Sequence, residues 1–273
     1  MKNKYYKILL AVVVLTIVAG LYSVMCGEPR GYEFKLFDGT RAKELARAVK
    51  ADDGCRVYEI ARNDSSLLNI REPKWNNTLL MLAIANHKKE AFEALLKAGA
   101  DVNVPDYGGD TALHLVCESS YDVFGIDCLY YATRLIECGA DVNGLYKDRD
   151  GEIAYSDTPL MAAAHSFIVN YNNVRLVRLL VKYGAKIDMM NKGRETALGK
   201  SVEVREYCVT YELLKLGANY KIPVSYEWED GDFRYDKPIY IKKAILGNNY
   251  AINLKNILYK KKVIEFLSNH GIK

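Results

Sequence analysis

The chain has 273 residues, half of them hydrophobic and 26% charged, with 38 basic against 34 acidic side chains. That composition excludes a wholly disordered chain, and a net charge of only +4 excludes a nucleic-acid binder recognised by bulk charge. Tyrosine stands out, at 21 residues.

At the amino terminus Lys2, Lys4 and Lys7 lead into an uncharged run from Ile8 to Cys26. As a helix those residues span about 28 Å, close to the hydrocarbon thickness of a bilayer. Residues 1–26 therefore read as a transmembrane anchor or signal segment, with 27–39 as a linker. Removing the three lysines leaves +1 for the remainder, so the basicity belongs mostly to the leader. The positive-inside rule places those lysines in the cytoplasm and the rest beyond the membrane. Three outcomes stay open: a retained anchor, a cleaved signal peptide, or lipidation at Cys26. The stretch Ser23-Val24-Met25-Cys26 resembles a bacterial lipoprotein box but departs from it at Ser23 and Met25.

The rest of the chain, 40–273, is repetitive. Thr40 to Asp53 is expected to be a first inner helix, with Leu45, Ala46 and Val49 inward, and Cys55 to Asn63 its outer partner. Gly99-Ala100-Asp101-Val102-Asn103 then recurs as Gly139-Ala140-Asp141-Val142-Asn143, with weaker copies at Gly184 and Gly217. Leucine-rich helix endings precede each copy, at Leu95-Leu96, Leu135-Ile136, Leu179-Leu180 and Leu213-Leu214. A second landmark opens the inner helices at Thr78, Thr111, Thr158 and Thr196. Asn69 to Asn103 is 34 residues, which sets the register of the first unit. A final helix pair is expected near Ile239–Leu246 and Lys255–Asn269.

These residues resemble the ankyrin repeat, whose pattern runs Thr-Pro-Leu-His, Leu-Leu, then Gly-Ala-Asp-Val-Asn over about 33 residues. The resemblance implies an all-α ankyrin-repeat solenoid: stacked helix-turn-helix units with β-hairpin-like finger loops, about six repeats including caps. The physics agrees. Threonine caps the inner helices, Pro159 sits where no amide donor is needed, and the glycines end the outer helices in a left-handed conformation.

Spacing locates what departs from the period. From threonine to glycine the repeats at Thr78 and Thr196 span 21 residues, that at Thr111 spans 28, and that at Thr158 spans 26. The finger from Gly139 to Thr158 is 19 residues against 12 for Gly99 to Thr111, and the finger after Gly217 runs on toward Pro238. Insertions in a solenoid fall on loops, and aromatic loops recognise partners at small entropic cost. Tyr107, Tyr146, Tyr155, Trp228, Phe233 and Tyr235 are the candidate partner-binding residues, although any single tyrosine can equally pack its own repeat. Glu227, Glu229, Asp230 and Asp232 offer an alternative as calcium ligands, at a spacing that matches no established loop.

Little else suggests chemistry. His114 holds the ankyrin histidine position, which the resemblance assigns to hydrogen bonding of turn backbone. The other histidines lack metal-ligand spacing. A Cys117–Cys128 bridge is conceivable across the insert between them. No catalytic constellation, cofactor or metal is expected, and neither nucleic acid nor a small-molecule substrate. The expected function is protein binding by a membrane-tethered array outside the cytoplasm. Two alternatives are a toxin-neutralising inhibitor or immunity protein of the cell envelope, as some similar bacterial ankyrin proteins are, and a cytosolic-facing scaffold of reversed topology. A third is an enzyme with a divergent site in the inserts.

Overall fold

A computed structural model of the chain describes residues 28, 31–118, 127–145, 157–165, 171–229, 232–247 and 254–272. The apolar leader, with Cys26, lies outside them, as do Tyr146 and Tyr155. Among the described residues no helix is long and apolar enough to cross a membrane.

The described helices alternate between two rows. The inner row is α1 (Lys43–Lys50), α3 (Leu79–Ala85), α5 (Ala112–Cys117), α7 (Pro159–Ala164), α9 (Ala197–Glu203) and α11 (Ile241–Gly247). Each is followed by its outer partner: α2 (Gly54–Asn63), α4 (Lys89–Ala98), α6 (Cys128–Glu137), α8 (Tyr171–Lys182), α10 (Tyr207–Lys215) and α12 (Leu254–Asn269). Successive inner helices pack on each other, so the expected all-α solenoid of about six units is what folds. A two-stranded antiparallel hairpin, β1 (Ser225–Glu229) and β2 (Asp232–Ile239), forms the last finger.

The central inner helices are short and apolar all round. Every residue of Leu79–Ala85 is buried, as is every residue of Ala112–Cys117. Such segments cannot cap themselves, and the threonines do it. The hydroxyls of Thr78, Thr158 and Thr196 accept from the amides of Met81, Met161 and Gly199. Outer helices end at Gly99, Gly139, Gly184 and Gly217 with φ between 93° and 99°, the left-handed turn that glycine adopts without strain.

Asparagine then links one unit to the next. Asn69 Oδ1 accepts from the Asp101 amide and Asn103 Oδ1 from the Asp141 amide, both at 2.9 Å. Asn143 Oδ1 accepts from the Lys186 amide at 2.7 Å. Asn103 and Asn143 also donate to the Gly139 and Gly184 carbonyls. The first unit joins this ladder through Asn69, as its 34-residue offset implies.

The outer row is fastened by charge and tyrosine. Arg134 on α6 grips Glu93 on α4 with two bonds of 3.0 Å, and Arg178 on α8 grips Glu212 on α10 at 2.7 and 2.9 Å. Lys97 lies over the Tyr58 ring, Lys89 over Tyr130, and Lys262 over Tyr211. Part of the tyrosine excess is thus spent between outer helices, where each contact is worth roughly 0.5–1 kcal/mol.

The stretch before α1 packs onto the array. Phe34 and Phe37 are buried, and the carbonyls of Gly31 and Tyr32 accept from Asn77 and Asn86. Cys117 and Cys128 are separate buried thiols, which corrects the conceived bridge. Each fills a small core position, and desolvation pushes the Cys117 thiol far up, so it stays protonated.

Candidate functional site

The fingers differ in construction. The first, between α2 and α3, is a turn closed by its own hydrogen bonds. Arg71 pairs with Thr78 as an isolated antiparallel bridge, and Glu72 N donates to the Asn77 carbonyl at 3.0 Å. Glu72 is fully buried, and its carboxylate accepts from the amides of Lys74 and Trp75 at 2.7 Å and Asn77 at 3.2 Å. Three backbone donors on one carboxylate fix the turn without help from solvent.

This turn displays Trp75, which is 43% exposed. Lys74 Nζ lies 5.2 Å from its ring centre. Tyr107, from the second finger, is half-buried beside it: the Tyr107 amide donates to the Trp75 carbonyl at 3.1 Å, and its hydroxyl reaches Pro73 O. Asn76 Nδ2 donates to Pro105 O, so the two fingers are tied at several points. Trp75 escaped the sequence reading because its finger has ordinary length and no insertion flagged it. The signal available was composition, since the chain has two tryptophans and both fall in fingers.

Behind Trp75 lies a cleft of about 290 Å³ lined by Gly31, Tyr32, Trp75, Asn77 and Asp106. Asn77 donates its amide to Gly31 O, while its Oδ1 is buried with no hydrogen-bond partner. Leaving a buried acceptor unmet costs about 1–3 kcal/mol. Asp106 Oδ1 accepts from the Gly108 and Asp110 amides, and burial, then repulsion from Asp110, raises its pKa from the ordinary carboxyl value.

Acidity continues along the fingers. Burial and repulsion from Asp157 raise Asp110. Glu118, at the end of α5, is pushed up to about 7 by desolvation and by repulsion from Asp110, Asp106 and Asp157. Its side chain stays open to water, which screens that repulsion. Lys200 meets Asp157 at 3.4 Å and Glu195 at 2.8 Å.

His114 sits beneath these carboxylates. Its Nδ1 accepts from the Thr111 amide at 3.2 Å and lies 2.9 Å from the Thr111 hydroxyl, and the ring interacts electrostatically with the backbone of Gly144 and Asp157 in the next finger. Burial pushes its pKa down to about 4, so the imidazole is a neutral strut holding turn backbone.

The hairpin carries the remaining candidates at the other end of the array. Trp228 pairs with Phe233 and Glu227 with Arg234 across the strands, and Tyr235 lies on β2. Gly199 lets the hairpin dock, because a Cβ there would stand 2.7 Å from the Val224 carbonyl oxygen. Glu227 is engaged by Lys243 at 2.7 Å, and among the described residues no acidic group is arranged to hold a metal ion. The structure thus brings Tyr107 together with Trp75 and separates both from Trp228, Phe233 and Tyr235.

Stacked helix pairs joined by fingers define the class, a helical-repeat binding scaffold. The chain belongs to the ankyrin-repeat family: a three-copy ankyrin model matches 45–145 and a single-repeat model matches 155–192, together about half of the chain. It is 28% identical to inversin from Mus musculus over 180 residues, 65% of this chain and 15% of inversin. Ankyrin repeat and SOCS box protein 6 from Homo sapiens is 30% identical over 142 residues, 52% of this chain and 31% of that protein. NF-kappa-B inhibitor alpha from Gallus gallus is 39% identical over 62 residues, 23% of this chain and 19% of that protein. The chain therefore spans well under half the length of each.

Proposed function

We propose that this protein acts by occupancy, binding another protein through its finger loops and the adjoining inner-helix face rather than by turning over a substrate. The observation that carries the reading is Trp75. A large aromatic side chain is held exposed on a turn whose amides are locked by a buried carboxylate. Such rigid aromatics supply interface energy with little ordering cost. The acidic run of Asp106, Asp110, Glu118 and Asp157 favours a partner that is basic where it docks. Tyr107 belongs to this surface, Trp228, Phe233 and Tyr235 form a second contact region on the hairpin, and Tyr146 and Tyr155 join the proposal from their sequence alone.

The family supports a binding role, and one relative is named as an inhibitor of NF-kappa-B. Neutralisation of a toxic partner and a cytosolic-facing scaffold of reversed topology are the alternative forms of the same binding. We further propose that the uncharged run Ile8–Cys26, with its three leading lysines, tethers the array to a membrane and places it outside the cytoplasm. A reporter fused at Lys273 tests the topology, and a cytoplasmic carboxy terminus overturns it. Binding itself is tested with a photo-crosslinking residue at Lys74. Capture of a discrete partner that Trp75→Ala abolishes supports the reading, and capture indifferent to Trp75 removes it.

A further inference from the structure

We propose that the cleft framed by Trp75, Asn77 and Asp106 receives an arginine side chain presented by the protein partner. The inference rests on the binding reading above and names the chemistry that one part of the surface recognises.

Three features converge on it. The first is a mismatch in hydrogen bonding. Asn77 Oδ1 is buried and unmet, and the second finger adds the Asp106 carboxylate to the same cleft. The Gly108 and Asp110 amides hold that carboxylate in place through its Oδ1. The cleft thus offers one acceptor without a donor and one anion. The second feature is the wall. Trp75 is exposed, and its ring already attracts the ammonium of Lys74 at 5.2 Å. That contact is solvent-exposed and weak, so an incoming cation can displace it. The third is size. At about 290 Å³ the cleft lies at the lower edge of the small-ligand range and suits one side chain.

Guanidinium answers all three requirements. It is planar and stacks on indole, it donates in several directions at once, and it remains charged when partly desolvated. An ammonium supplies the charge but not the flat face. The neighbouring Asp110, Glu118 and Asp157 add a field that draws a cationic segment toward the fingers, against which Lys74 and Lys200 are the opposing charges described nearby.

Glu72 and the finger-to-finger bonds hold this geometry before any ligand arrives, so binding requires little rearrangement. Gly31 closes the back of the cleft. A Cβ there would stand 3.7 Å from Trp75 Nε1, and its φ of 92° favours glycine.

The test uses the full chain carrying Trp228→Phe, so that Trp75 is the sole indole reporter. Blocked Gly-Arg-Gly peptide is titrated against its fluorescence, with citrulline and lysine analogues as comparisons. The arginine peptide should give a saturable change, and each analogue should bind at least about tenfold more weakly. Asp106→Asn should lose most of that preference without a change in melting temperature. Trp75→Leu, observed by peptide NMR, should weaken binding at a site where folding is not at stake. Citrulline binding as well as arginine, no saturation by the arginine peptide, or unchanged binding by both variants would overturn the proposal. Any of these outcomes leaves the wider binding reading standing, because that is judged separately by crosslinking at Lys74.

Discussion

His114 converts the packing of the central repeats into a pH dependence of known sign. Its pKa falls from the usual 6.5 to about 4 because burial excludes the charged imidazolium. In the unfolded chain the same ring takes up a proton near 6.5. Between these values the unfolded state binds more protons, so the stability that the neutral ring contributes is present above 6.5 and lost as pH falls toward 4. A shift of this size corresponds to roughly 3 kcal/mol, most of which should disappear between pH 7.5 and 4.5. Asp106, Asp110 and Glu118 titrate in the opposite sense, since their raised values let the folded state take protons first on acidification. The assay must therefore be differential. Urea unfolding of the wild type and of His114→Asn is measured at both pH values. The variant loses absolute stability, because its smaller side chain underfills a buried site, but its stability should fall by about 2–3 kcal/mol less than the wild type's on acidification. Parallel curves would mean that His114 is open to protons in the folded state, and the strut between fingers would have to be abandoned.

Other outcomes follow from particular contacts. Leu180→Ala removes a fully buried side chain from α8 and should cost about 2–5 kcal/mol in denaturant unfolding. Gly199→Ala places a methyl 2.7 Å from the Val224 carbonyl, so it should cost about 1–3 kcal/mol and speed amide exchange in the hairpin selectively. Arg134→Ala breaks the bidentate pair with Glu93, but both side chains are about one third exposed, so the loss should stay within about 1 kcal/mol and shrink with salt. Trp228→Ala should weaken partner binding with little change in melting temperature, and a large fall would assign Trp228 to the fold instead.

The scaffold was legible because its physics is written in single residues. Threonine before an apolar run, glycine after a leucine pair, and asparagine four residues beyond Gly99 and Gly139 each state a local backbone requirement, and every one is met where expected. The hairpin was partly legible. The long finger after Gly217 was apparent, but its docking depends on Gly199 replacing the position held by His114 two repeats earlier, a tertiary fit that spacing does not reveal. The site was the least legible. Tyr107 was identified and Trp75 was not, because insertion length finds loops that are long, whereas the Trp75 turn is short and held by a buried glutamate. The tyrosines show the same limit. Tyr58, Tyr130 and Tyr211 are met by lysines on neighbouring helices, partners that no window along the chain contains.

The claim that the fingers, and not the outer helices, meet the partner can be tested by position. A photo-crosslinking residue is placed in the full chain at Lys74 on the first finger or at Glu59 on α2, both exposed. The account predicts a crosslinked partner from position 74 that Trp75→Ala abolishes, with none from position 59. Capture from Glu59 alone, or equal capture from both positions, would place the partner on the opposite face and contradict it.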